Sequence, residues 1–398
     1  MSKSKNILIT GASRGIGLLA SKTLAQSGHY IVAAMRDLEG RNAVAAQALN
    51  AWAKEHDYGL ETIEMDVCDE SSVNSAIKLV EKHRPIDVLI NNAGVMPVGI
   101  TEAYTPEQIK ACFDVNVFGV ARTCRAVLPY MRERQSGLLI HLSSTAGRQA
   151  IPFFGVYCAS KWALEALVES MHYEIDSFGI ESIIVEPGGH ATDLINNPPA
   201  PADNDCIKSY GAIAEVPKNM INMFEAMFAA KEDITNAQNV ADKICSLVNM
   251  DEAMPIRITV GNDMGLNRIN ESVAPIQAEL IRMLQPVTGM KAEDKRLYLS
   301  AEISLKPECY EAGKAAIEGI IPLTLNEPGC HVFSLMEDQS KNGKLHLFEI
   351  FEDEHALQRH HDKDYTKAIF TQYEDWLEKP IEITKMQASS PETSLQFS

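Results

Sequence analysis

Several things are scarce in this 398-residue chain, and each scarcity excludes a class of role. No apolar run approaches the roughly 18 residues that a membrane span needs, and MSKSKNILIT meets a glycine turn at once, so neither a span nor an export signal is expected. Positive charge is short: 36 Lys and Arg against 54 Asp and Glu leave a formal net charge of −18. Such a surface repels phosphate backbones and anionic headgroups, so nucleic acid and membrane are not expected partners. The eight cysteines, at 68, 112, 124, 158, 206, 245, 309 and 330, form no C-x-x-C pair and no disulfide-framework spacing, which fits reduced thiols in a cytoplasmic protein. Recognised metal-ligand spacings such as H-E-x-x-H are missing too, and no metal is expected.

What is present is an ordinary folding composition, 45% hydrophobic and 23% charged, in a length that suits two domains. From residue 5 to 260 short apolar runs alternate with helical stretches. The runs Asn6–Thr10, Tyr30–Ala34, Glu61–Met65, Val88–Asn91, Leu138–Leu142, Ser182–Glu186 and Arg257–Val260 predict seven strands buried on both sides. This is the α/β signature of a Rossmann-type, doubly wound parallel sheet, assigned to residues 1–264. Residues 265–295 read as a helix, about Asn267 to Leu284, and a polar linker. Residues 296–388 then run strand, helix, strand, strand, helix, strand, with the strand pair around QSKNGK and the second helix from about Asp353 to Leu377. That order predicts a smaller ferredoxin-like α+β domain. A polar tail, 389–398, closes the chain.

The first turn, Thr10-Gly11-Ala12-Ser13-Arg14-Gly15-Ile16-Gly17, links a strand to a helix. Glycine there permits a tight turn and close approach of backbone to a pyrophosphate at the helix N-terminus, although the spacing G-x-x-x-G-x-G departs from G-x-G-x-x-G. After the second strand the position that usually holds an acid is Met35, followed by Arg36. With Arg14, Arg36 suits a ribose 2′-phosphate, which predicts NADP(H) over NAD(H); a register shift that brought Asp37 onto the ribose would reverse this.

Tyr157 and Lys161 lie four residues apart, hence on one face of a helix, and an ammonium beside a phenol favours the phenolate. Tyr157 can then exchange a proton with a carbonyl oxygen while the nicotinamide exchanges hydride at the same carbon. Ser144, just beyond the fifth strand, can hold that oxygen. Asn91-Asn92-Ala93-Gly94 and Asn116 offer amides for the cofactor or a relay water, with capping and turn chemistry open as the alternative at Asn91.

These motifs, in this order, together with Asp66-Val67, Ser144-Thr145-Ala146-Gly147 and Pro187-Gly188 followed by Thr192, resemble the short-chain dehydrogenase/reductase superfamily from residue 7 to about 262, in its hydroxysteroid-dehydrogenase-like branch. The resemblance implies a catalytic tetrad of Asn116, Ser144, Tyr157 and Lys161. It also implies cofactor contacts from Gly11, Ser13, Arg14, Gly15, Ile16, Gly17, Arg36, Asp66, Val67, Asn92, Ala93, Gly94, Tyr157, Lys161, Pro187, Gly188 and Thr192. A homodimer or homotetramer is expected.

Between Thr192 and Asn236 a Pro-rich segment leads into a helix with Met220, Met223, Phe224, Met227 and Phe228 at three- and four-residue spacing. Core packing and a Met-rich lid over a hydrophobic substrate are both open readings. On the second, Met96, Phe153, Phe154, Met223 and Met227 line an apolar pocket for a bulky carbonyl compound. Residues 296 to about 387 resemble the antibiotic-biosynthesis-monooxygenase family through Asn326-Glu327-Pro328-Gly329-Cys330, the strand Leu345–Phe351, and His355-Ala356-Leu357 with His360. The resemblance implies a ferredoxin-like, dimer-forming unit that in some members oxidises quinols; His360 is its candidate polar group, and Glu349 faces in or out according to strand register. A bifunctional enzyme and a reductase carrying a silent assembly module both remain open.

Overall fold

The computed structural model describes residues 4–196, 198–230, 232–250, 254–288, 296–327, 329–337 and 344–386. They fall into two compact units, Met1–Ser272 and Val273–Ser398.

In the first unit β1 (Asn6–Thr10), β2 (Tyr30–Met35), β3 (Leu60–Glu64), β4 (Val88–Asn91), β5 (Gly137–Leu142), β6 (Ile180–Pro187) and β7 (Arg257–Val260) form one parallel sheet in the order β3-β2-β1-β4-β5-β6-β7. Successive side chains of a strand point to opposite faces, so β1 feeds two cores. Ile7 and Ile9 pack with Leu24, Ile244 and Leu247, from the helices Gly15–Gln26 and Gln238–Val248. Leu8 packs with Ile77, Val127 and Leu164, from the helices Glu70–His83, Gly119–Arg134 and Gly155–Ile175. With both faces covered, the inner strands are mostly apolar and read as continuous runs, whereas the edge strands β3 (Leu-Glu-Thr-Ile-Glu) and β7 (Arg-Ile-Thr-Val) are only partly buried, not buried on both sides as expected, because each has a neighbour on one side alone. Strand order reverses between β1 and β4, and a crevice opens there at the carboxyl ends of the strands.

Within the Thr192–Asn236 segment lie the helices Asn204–Ser209 and Val216–Ala229. The expected helix after the first sheet runs Leu266–Thr288, across the division between the units, and contains Pro275 and Pro286. No described helix is long and apolar enough to cross a membrane.

The second unit holds β8 (Leu297–Ser304), β9 (Cys330–Glu337), β10 (Lys344–Phe351) and β11 (Glu382–Met386), antiparallel in the order β11-β8-β10-β9, with the helices Tyr310–Leu325, Glu354–His361 and Asp364–Trp376. This is the ferredoxin-like arrangement. The single helix expected from Asp353 to Leu377 is two helices, because Lys363 takes extended backbone and the chain restarts behind it. Register puts Glu349 opposite Leu299 and Phe333, both buried, so its side chain faces the core. Of the expected linker 286–295, residues 286–288 continue the helix Leu266–Thr288 and 289–295 lie outside the described residues, as do 338–343 with all of the expected turn QSKNGK but Lys344, the tail from 387, Pro328 and the side chain of His355.

Candidate active site

A cavity of about 490 Å3 occupies the crevice. Its floor is the glycine turn after β1, where Gly11 (φ +66°) and Gly15 (φ +56°) adopt the left-handed backbone that favours glycine. A Cβ on Gly11 would stand 2.9 Å from Ala93 Cα, so the turn admits no side chain. Asn92 pins it: its side-chain amide donates to the carbonyls of Thr10 (2.8 Å) and Gly11 (3.1 Å), while Thr10 Oγ1 accepts from the backbone of Asn92 and Ala93. Ser13, Arg14, Gly15 and Ile16 line the cavity with Ala93 and Gly94. Gly17 does not; it is buried, and a Cβ there would meet Asn92 Nδ2 at 2.4 Å, so its role is helix–turn packing. This narrow cradle at a helix N-terminus fits a pyrophosphate.

Arg14 and Arg36 line one end of the cavity with Asp66 and Val67, and Arg41 joins them, which the sequence reading missed. None of the three arginines is ion-paired with a described carboxylate. Asp37 does not line the main cavity: its carboxylate accepts from Arg41 N (2.9 Å), closing its own loop, and it borders only an adjoining recess. Asn91 also turns away. Thr123 Oγ1 donates to it at 2.6 Å and its amide lies 3.2 Å from the ring of His141, which burial holds neutral by pushing its pKa down to about 3.

At the other end Ser144, Tyr157 and Lys161 come together, with Pro187, Gly188 and Thr192 on the facing loop. Lys161 Nζ donates to the Leu142 carbonyl at 2.6 Å and stands 5.9 Å from the Tyr157 ring centre. The expected depression of the phenol by this amine is not what the geometry gives. Burial pushes Tyr157 up to about 12, against the pull of its hydrogen bond with Ser144, and burial pushes Lys161 down to about 8. The phenol therefore stays protonated at neutral pH, as a proton donor. Asn116 does not line the cavity. It sits in a π-helical stretch, Asp114–Phe118, where its amide donates to Val95 O and Ser160 Oγ (both 2.9 Å) and accepts from Val95 N, bracing the loop behind Gly94.

The wall beyond Tyr157 is apolar: Met96, Ile151, Phe154, Ile195, Phe224, Phe228 and Met264. Three expected wall residues are elsewhere. Phe153 has φ +68°, a left-handed kink that sends Phe154, not Phe153, into the cavity. On the helix Val216–Ala229 the row Met220, Phe224, Phe228 turns inward; one residue back along a helix is about 100° round, so Met223 is 56% exposed and Met227 sits at the rim near Gly189. Phe224 and Phe228 were in the apolar stripe, whose spacing fits two neighbouring rows. His190, inside the expected span from Pro187 to Thr192 but not singled out there, lines the cavity while Nδ1 lies 3.0 Å from the Gly188 carbonyl.

The short-chain dehydrogenase family model matches residues 5–201. The uncharacterized oxidoreductase YusZ of Bacillus subtilis (strain 168) is 33% identical over 283 residues, 69% of this chain and 95% of that protein. The chain belongs to the short-chain dehydrogenase family. A short-chain dehydrogenase structure from Streptomyces avermitilis superposes with a TM-score of 0.56 at 27% identity, covering 73% of this chain and 99% of that one. Human 17-beta-hydroxysteroid dehydrogenase type 1 is 40% identical over 187 residues, which span 46% of this short-chain dehydrogenase and 56% of the human enzyme's length. Residues 296–372 match a second family model, antibiotic biosynthesis monooxygenase. In that unit His360 is not at a surface cleft but 3% exposed, its ring against Phe333 and Phe351 and its Nδ1 2.8 Å from Glu327 Oε1, which also accepts from the Tyr365 hydroxyl.

Proposed function

We propose that the first unit is an NADPH-dependent reductase of bulky hydrophobic or aromatic ketones, aldehydes or quinones. The observation that carries this is a buried Tyr157 beside Ser144 at one end of a cavity whose other end holds three arginines without carboxylate partners among the described residues. The glycine cradle suits a dinucleotide pyrophosphate, Asp66 and Val67 border the adenosine end, and Arg14, Arg36 and Arg41 supply donors for a 2′-phosphate. Bound there, the nicotinamide supplies hydride to the carbonyl carbon.

The chain's own residues do the rest. The Ser144 hydroxyl holds the substrate oxygen, and Tyr157 donates its proton to that oxygen as the alcohol forms. Lys161 keeps positive charge near the phenol, stabilising the phenolate left behind. Asn116 holds the loop on which Gly94 sits. Met96, Phe154, Phe224 and Phe228 exclude water and favour an apolar substrate body over a sugar or a small acid. The similarity to a hydroxysteroid dehydrogenase supports the same substrate class. All eight cysteines are free thiols, which supports a reducing, cytoplasmic setting.

Two readings of the second unit have support. The His360–Glu327–Tyr365 group favours further oxidation of the reductase's product, while exposed Met336 and Ile383 favour pairing of chains as a homodimer or homotetramer. The reductase reading is tested by a panel of ketones and quinones against NADPH and NADH consumption, with Tyr157→Phe as the control. NADPH is expected to be preferred, aromatic ketones to outrun small charged ones, and the variant to lose about 100- to 10,000-fold in kcat with its NADPH Kd retained. Undiminished turnover in Tyr157→Phe refutes the reading.

A further inference from the structure

We propose that Glu165 is a positioning residue for this site: through Ser143 it fixes the turn that carries Ser144, and it supplies the counter-charge for Lys161. The inference rests on the reductase reading above. Glu165 lies one helical turn beyond Lys161 and two beyond Tyr157, on the same face of the helix Gly155–Ile175. It is 2% exposed, and a carboxylate so buried costs several kcal/mol unless it is paired.

Its partners point at the active site. Ser143 Oγ donates to Glu165 Oε1 at 2.6 Å, and Ser143 is the residue before Ser144. A Cβ on Gly147 would stand 2.0 Å from that carboxylate oxygen and 2.5 Å from Ser143 Oγ, so the turn from Ser144 to Gly147, closed by Gly147 N donating to Ser144 O, is shaped around the carboxylate. Three consecutive residues at the end of β5 are thus tied to one helix: Leu142 by Lys161, Ser143 by Glu165, Ser144 by Tyr157. Loss of the middle tie frees the Ser144 turn to shift.

The charges close as well. Arg257 of β7 donates to Glu165 Oε2 (3.2 Å) and grips Glu169 with both terminal nitrogens (3.1 and 2.6 Å). Glu186 of β6 faces the same arginine at 3.9 Å, but burial and the charge of Glu165 push its carboxyl up, so it holds a proton at neutral pH. Two carboxylates, Glu165 and Glu169, then face the cations Arg257 and Lys161, and Arg148 adds a further positive charge toward Glu169 and Glu186. Around Lys161 the other titratable groups are Tyr157 and Cys112, and burial holds Cys112 up as a neutral thiol. Glu165 is therefore the anion that opposes the loss of the Lys161 proton.

The test uses the full chain, an aromatic ketone and NADPH. Glu165→Gln is expected to lower kcat roughly 10- to 100-fold with KM for NADPH within about twofold, and to move the alkaline limb of the kcat profile down by about one pH unit. Ser143→Ala removes the tie and keeps the charge, so kcat falls while the limb stays. In the protein without cofactor, 15N NMR of the Lys161 amine should titrate at lower pH in Glu165→Gln. A folded Glu165→Gln protein with wild-type kcat and a superimposed profile and titration overturns the proposal, and if that variant does not fold, unchanged kcat in Ser143→Ala does. Failure of the reductase reading looks different: no turnover in the parent protein, with the lysine titration still displaced.

Discussion

On the proposed NADPH reading, a 2′-phosphate would bring two negative charges to the end of the cavity lined by Arg14, Arg36 and Arg41, the side chains there that can meet them. Each charge-assisted bond contributes about 1.5 to 3 kcal/mol, or roughly a 10- to 100-fold change in affinity. Arg36→Ala and Arg41→Ala should each raise KM for NADPH at least about tenfold and leave KM for NADH within about twofold; equal losses for both cofactors would show that neither arginine reads the phosphate. Arg36 was legible because it directly follows β2. Arg41 was not, because it reaches the cavity only through a loop that Asp37 closes on itself with φ +55° and a bond to Arg41 N. The same loop keeps Asp37 out of the main cavity. Tyr157 and Lys161 were legible as a pair from their spacing, whereas the direction in which the phenol titrates was not, since burial outweighs its hydrogen bond with Ser144 and burial is a property of the assembled walls.

At the level of elements, the helix Val216–Ala229 sets one wall of the substrate cavity through a single row of side chains. Phe224→Ala removes a ring that lines the cavity and packs edge-on against Phe154. It should raise KM for an aromatic ketone about tenfold or more, from the roughly 1.5 to 3 kcal/mol of lost apolar contact. Met223→Ala, on the exposed side, should change it by less than about twofold, and equal effects would mean that the helix faces the cavity differently. The end of β6 makes a second prediction. Burial, then Glu165, pushes the Glu186 carboxyl from the ordinary 4.5 up to about 8, while Asn270 Nδ2 donates to it at 2.7 Å. Between these values the folded chain holds a proton that the unfolded chain has released, so stability falls as pH rises through the window. Gln mimics the protonated carboxyl, so Glu186→Gln should raise Tm by several degrees at pH 8 and by little at pH 5. A uniform change across that range would contradict the assignment. The inner strands were legible because strands buried on both faces leave nearly unbroken apolar runs, as in β1 and β2. Which of two adjacent rows on an amphipathic helix turns inward was not, because spacing gives the stripe and only packing selects its centre.

At the scale of the whole molecule, the two units carry separate cores and separate polar groups. Every described residue that lines the main cavity lies between Gly11 and Met264, within the first unit, whereas His360, Glu327 and Tyr365 lie in the second. The sequence predicted a boundary over 265–295 from a change of pattern, strand–helix alternation giving way to the ferredoxin-like order, while the compact units divide between Ser272 and Val273, within the helix Leu266–Thr288. A chain ending at residue 294 should therefore keep its nicotinamide-coupled turnover within about twofold, since no described residue that lines the main cavity is removed. What else changes decides between the readings of the second unit. Loss of the native oligomer, measured by light scattering, with turnover unchanged assigns that unit to assembly. Loss of oxygen consumption with a quinol, accompanied by the same loss in Glu327→Gln full-length protein, assigns it to a second chemical step. The Glu327 variant matters because truncation removes surface and chemistry together, whereas Gln keeps an acceptor for His360 and Tyr365 and removes only the charge that both share.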